Sequence, residues 1–137
     1  MDTKNKNYEE NINEYHGIII NISQKDKSIF NNLQIIGKKK VLLGLVILYK
    51  IRVSENRINE VIQTVQNNMA SKLLIKKQGY YAHFYRGNEL IVVFKDKVFT
   101  VSTDKTTWSD AIEYGKHLKI NGKQLDFIPN RFEDEDY

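Results

Sequence analysis

A chain of 137 residues fits one domain, of a size that buries roughly two thirds of its unfolded surface, so a core can form without metal or disulfide staples. Hydrophobic content of 41% and charged content of 28% are ordinary for a globular chain, and the absence of cysteine excludes thiol catalysis, disulfides and thiolate metal sites. The net charge of +4 conceals a basic body. Once residues 1–14 and 131–137 are set aside, with their three basic and eight acidic side chains, 18 basic and 9 acidic residues remain, a balance that favours anionic partners.

In chain order, residues 1–14 lack apolar periodicity and are expected to be disordered; no apolar core of a secretory signal is visible there. A cytoplasmic setting is expected. Residues 18–22 are rich in β-branched side chains and predict a short buried strand. Residues 28–33 fit a single helical turn or an irregular segment. Residues 35–36 and 41–43 flank Gly37-Lys38-Lys39-Lys40, which predicts a hairpin with a basic tip. The lysines ahead of the uncharged run 41–49 imitate a signal peptide, but that run is far shorter than the ~20 residues that cross a bilayer, and no membrane partner is expected.

Residues 45–48 are apolar on both faces and predict the central part of a sheet, whereas Tyr49, Ile51 and Val53 alternate with Lys50 and Arg52. Ser54 is the predicted N-cap of a helix whose stripe is Ile58, Val61, Ile62, Val65 and Met69, with Leu73 able to continue it until Gly79 stops it. Three aromatic-rich strands follow, linked by turn chemistry at residues 86–89 and 95–97. In residues 80–85, alternation sends Tyr80, Ala82 and Phe84 to one face and Tyr81, His83 and Tyr85 to the other. Residues 104–107 supply an N-cap, and Trp108, Ala111, Ile112, Gly115 and Leu118 form the buried stripe of a second helix. Asn121-Gly122 turns the chain, residues 125–128 add a last strand, and Pro129 ends it.

From residue 45 the order is strand, helix, strands, helix, strand. It resembles the split βαβ, ferredoxin-like plan. The resemblance implies an α+β domain with a mainly antiparallel sheet and two helices on one face, to which this chain adds an extra strand and an N-terminal β extension. The expected organisation is a disordered segment 1–14, a single domain 15–130 and a flexible acidic tail 131–137, which is also a candidate competitor for an anionic partner.

Catalytic signatures are missing. The seven glycines are never closer than seven residues apart, which excludes a dinucleotide fingerprint, and there is no Walker loop or His-Glu-x-x-His. His16, His83 and His117 are remote from one another, so no metal and no cofactor are expected. His117 reads as a solvated cation near a helix end. His83 stands between Tyr81 and Tyr85 with Arg86 following, on a face expected to pack beneath the N-terminal segment or else to serve as a stacking platform or a general base beside a phenol.

Three function classes emerge. The expected one is a small non-enzymatic binding or accessory module, acting through a protein partner or self-association along exposed strand edges. The first alternative is single-stranded nucleic-acid (RNA) binding on Tyr81, His83, Tyr85 and Arg86, with Lys38, Lys39, Lys40, Lys50, Arg52, Lys76 and Lys77 supplying charge. Residues 77–82 depart from the RNA-binding strand motif in the position of the glycine and the phase of the aromatics, so no family assignment follows. The second alternative is a small-ligand pocket or unrecognised enzyme centred on His83.

Overall fold

The computed structural model describes residues 13–70 and 79–127; the expectations for residues 1–12, for Leu73, for Lys76 and Lys77, and for the acidic tail lie outside the described residues. Six strands, β1 (Glu14–Ile20), β2 (Gln34–Val41), β3 (Val46–Ser54), β4 (Tyr81–Arg86), β5 (Glu89–Phe94) and β6 (Val98–Ser102), join two helices, α1 (Ile58–Asn67) and α2 (Ser109–His117). The fold is α+β. The strands form one open sheet in the order β2-β3-β1-β4-β5-β6, and every neighbouring pair is antiparallel.

The N-terminal strand is therefore an inner strand of the sheet rather than an extension at its edge. It separates β3 from β4, which run parallel to each other because both are antiparallel to β1. A split β-α-β unit thus exists locally at β3, α1 and β4, but the ferredoxin-like order of the whole is not what forms. No strand forms over residues 125–127, the described part of the strand expected at 125–128; a 3-10 turn, Gly122–Leu125, is followed there by buried Phe127.

The expectation of two helices on one face is also corrected. Alternation along β4 sends Ala82 and Phe84 into one core, where Ile58, Val61, Ile62 and Val65 of α1 pack with Ile19, Ile51 and Val93. The same alternation sends Tyr85 and the flanking Tyr81 to the opposite core, where Trp108 and Ala111 pack with Leu90, Val92, Phe94, Leu125 and Phe127. The helices cover opposite faces of the sheet. Each large apolar side chain so buried contributes about 1.5–3 kcal/mol before entropy is counted, so both layers hold the sheet. This is why β5 is buried at every position from Leu90 to Phe94.

Local chemistry sets the helix starts. Asp104 accepts from the Thr106 backbone N–H at 2.9 Å and from its hydroxyl at 2.8 Å, capping the 3-10 turn Lys105–Thr107 ahead of α2. The Trp108 indole N–H then donates to the Ser102 carbonyl at 2.7 Å and ties the helix start to β6. Ser54 does not cap α1. Its hydroxyl donates to Asn56 at 2.7 Å, and a 3-10 turn, Glu55–Arg57, intervenes before the helix.

The β1–β4 crossing is close. A Cβ at Gly17 would lie 2.4 Å and 2.6 Å from two ring carbons of Phe84 and 3.2 Å from the His83 carbonyl oxygen. We expect Gly17→Ala to lower the unfolding free energy by about 1–3 kcal/mol, because the fully buried Phe84 ring cannot move aside; urea denaturation measures it, and an unchanged midpoint would contradict this packing.

Candidate functional site

The tyrosine and histidine side chains singled out from the sequence do converge. Ile18 pairs with both Lys50 on β3 and His83 on β4, and His16 pairs with both Arg52 and Tyr85, so these residues form two rows across the α2 side of the sheet. The His83 and Tyr85 rings stack with centroids 6.0 Å apart, Tyr81 lies 6.1 Å from His83, and His16 meets Tyr85 edge-on at 6.2 Å.

That ladder is closed rather than open. Tyr85 and Lys50 are each only 2% exposed, so neither offers a free ring or ammonium to a nucleotide. The Tyr81 hydroxyl donates to the Gln124 carbonyl, and the Tyr81 ring meets Phe127 edge-on at 5.2 Å. Burial first, and then the Asp126 carboxylate, push the Tyr81 phenol up to about 12. Burial alone pushes the His83 imidazole down to about 4, so it is neutral near pH 7 and brings no charge to a phosphate.

Two of the predicted cations are used inside the fold. Arg86 lies 3.0 Å from Glu55 and 3.1 Å from Glu89, with its guanidinium 4.3 Å from the centre of the Tyr15 ring. The Tyr15 hydroxyl donates to the same Glu89 carboxylate at 2.9 Å; burial, and then this carboxylate, push the phenol up to about 12. Arg52 is 3.0 Å from Glu14. His117 is exposed in the last turn of α2, apart from the ladder.

Two open clefts flank α1. One, of about 420 Å³, lies between the 3-10 turn Lys27–Asn32 and the helix, with Arg57 and Asn68 on its wall; the other, of about 280 Å³, is shared by Glu14, Arg52 and Arg57. Neither contains His83. Among the described residues no group of three or more His, Asp or Glu side chains is placed to hold a metal ion.

The surface that stands out is the β2–β3 hairpin, and its tip is not where the sequence placed it. Lys38, Lys39 and Lys40 lie within β2, paired with Tyr49, Leu48 and Ile47 of β3, and the chain reverses instead at Leu42–Gly44. The apolar residues expected at the centre of the sheet are at this outer end. Leu42, Leu43 and Leu45 are 70%, 105% and 76% exposed, so the described residues leave them largely uncovered. Leu42 and Leu43 have φ of 50° and 57°, followed by Gly44 at 85°. A leucine in the left-handed region costs on the order of 1 kcal/mol, a strain that burial among the described residues does little to offset at these two positions.

The hairpin is anchored at its base. Tyr49 stacks on the buried Phe30 ring at 4.3 Å, and Ile47 donates its N–H to the Asn21 side chain at 3.1 Å. Residues 27–54 carry six basic side chains and no carboxylate, so no acidic side chain of the segment itself offsets Lys38, Lys39 and Lys40. β2 is also an edge strand, exposed at all three lysines. Sequence reasoning found the lysines and missed the leucines, since turn rules look for Gly, Asn and Asp; Gly44 was the only local signal.

No family model, no curated protein and no solved structure matches this chain. Among the described residues no helix is long and apolar enough to cross a membrane.

Two outcomes are expected. Protonation of His83 favours the unfolded chain, because its folded pKa lies below the ordinary 6.5. The stability it confers is complete above about pH 6.5 and is lost as pH falls towards 4; His83 as a whole residue is only half-buried, which limits the effect to about 1–2 kcal/mol. Histidine ring NMR should show a midpoint near 4 for His83, and His83→Gln should flatten stability over that range. Leu43→Asn, which relieves the positive φ, should raise stability by about 0.5–1 kcal/mol in urea denaturation; a loss would mean the leucine is held by the fold.

Proposed function

We propose that this protein is a non-enzymatic binding module that docks on another molecular surface through the β2–β3 hairpin. The observation that carries the reading is the apolar tip, three leucines largely exposed to solvent at the end of a basic ribbon. A fold rarely retains exposed apolar groups on strained backbone without a use for them.

The chemistry of the surface follows from the hairpin. It must be anionic, to meet Lys38, Lys39 and Lys40, and it must offer apolar depth to the leucines. A second copy pairing edge to edge along β2 fits poorly, because an antiparallel match would set lysine runs against each other, and edge lysines ordinarily oppose such pairing. The nucleic-acid reading finds less support, since the Tyr85 ring is buried and the His83 ring is neutral. Nothing among the described residues favours a catalytic reading.

A photoreactive amino acid at Leu43 of the full chain, in the cell that makes it, is expected to form adducts, while the same residue at exposed Glu113 on α2 forms none. Absence of adducts at Leu43, or equal yields at the two sites, would remove the hairpin from the function.

A further inference from the structure

We infer that the surface engaged by the hairpin is an anionic lipid bilayer, with Leu42, Leu43 and Leu45 entering the interface and Lys38, Lys39 and Lys40 lying among the headgroups. The inference rests on the reading of the hairpin as the docking element and names its partner. It departs from the sequence expectation of no membrane partner, which followed from the lack of a spanning segment; an interfacial loop needs none.

Three features separate a bilayer from other partners. The first is depth. A strand advances about 3.3 Å per residue, so the turn leucines stand roughly 5–10 Å beyond the lysine run, which is the depth at which apolar side chains sit when charged groups stay at the headgroups. The second is the distribution of charge. Side chains alternate along β2, so Lys38 and Lys40 face one side of the ribbon and Lys39 the other. A plane approached end-on meets cations on both sides, whereas a protein laid against one face meets only part of them. A partner strand added to the β2 edge would also leave the leucines at the end of the ribbon uncovered.

The third feature is the shape of the tip. Leu42, Leu43 and Leu45 project from a narrow turn, and Leu43 is as exposed as a free side chain. Such a wedge enters a fluid interface without a preformed pocket. A nucleic acid would use the lysines and leave the leucines in water. The run of residues 27–54 without a carboxylate means that no acidic side chain of the hairpin itself opposes approach to a negatively charged surface.

Vesicle flotation with the full chain tests this, using phosphatidylcholine alone and with roughly 30 mol % phosphatidylserine, at about 50 mM and about 500 mM salt. The protein is expected to float with the anionic vesicles at low salt and to be released at high salt. Replacing all three leucines (Leu42→Ser, Leu43→Ser, Leu45→Ser) should weaken partitioning at least tenfold. Replacing all three lysines (Lys38→Gln, Lys39→Gln, Lys40→Gln) should weaken it by on the order of a hundredfold, at roughly fivefold per charge. These residues are exposed, so circular dichroism should be unchanged.

Because the chain has no cysteine, an environment-sensitive dye on Leu43→Cys reports insertion at one place. Its emission should shift to the blue on anionic vesicles, while dye on Glu113→Cys should not respond. No flotation at low salt, flotation that survives the leucine replacements, or a leucine-dependent dimer in light scattering without vesicles would each overturn the bilayer. If Leu43 gives protein adducts in cells and the vesicles stay unbound, the bilayer falls and the hairpin reading stands.

Discussion

Side chains of adjacent residues in a strand must leave by opposite faces, and that constraint organises the molecule. β4 is where it acts most visibly, sending Ala82 and Phe84 one way and Tyr81, His83 and Tyr85 the other. Each set needs its own cover, and the two amphipathic helices supply one each. β1 makes this possible by lying between β3 and β4 and bringing its backbone so near Phe84 that only a glycine fits at position 17.

Two covered faces leave little of the inner sheet for recognition. Tyr85 is sealed, the Tyr81 hydroxyl is engaged, and the cation of Arg86 is held among Tyr15, Glu55 and Glu89. A part of the sheet that lies outside both layers among the described residues is the outer end of β2 and β3, beyond the Tyr49–Phe30 stack. Charge and exposed apolar surface therefore meet at one projection. That concentration is why a contact through the hairpin explains more of the chain than one on the aromatic ladder.

Much of the fold was legible in the residues. The stripe from Ile58 to Val65, the turns around Gly87 and Asp96, the alternation of residues 80–85 and the helix beginning near Trp108 all follow period and turn chemistry. The side on which each helix lies did not follow, because periodicity says which residues are buried and not what covers them. A hint was present. The unbroken apolar run from Leu90 to Phe94 requires cover on both faces, which helices on one side cannot give. The hairpin failed for a different reason. Apolar residues 45–48 have the pattern of a sheet centre, since exposed leucines and buried ones look alike in a sequence. The tip was placed at Gly37-Lys38-Lys39-Lys40 because turn propensity does not foresee two leucines at positive φ.

The irregularity between Ile35 and Gly37 has a bearing on how the cations are shared out. Ile35 pairs with Ile51 and Gly37 with Lys50, so Ile36 is an additional residue that shifts everything after it by one place. With it, Lys39 alone shares the side of Lys50 and Arg52. Were Ile36 instead paired opposite Lys50 in an unbroken ladder, Lys38 and Lys40 would lie on that side, leaving a lopsided arm with mutual repulsion along one flank. A single residue left out of the ladder, carrying no charge itself, thus keeps the arm electrically even-handed.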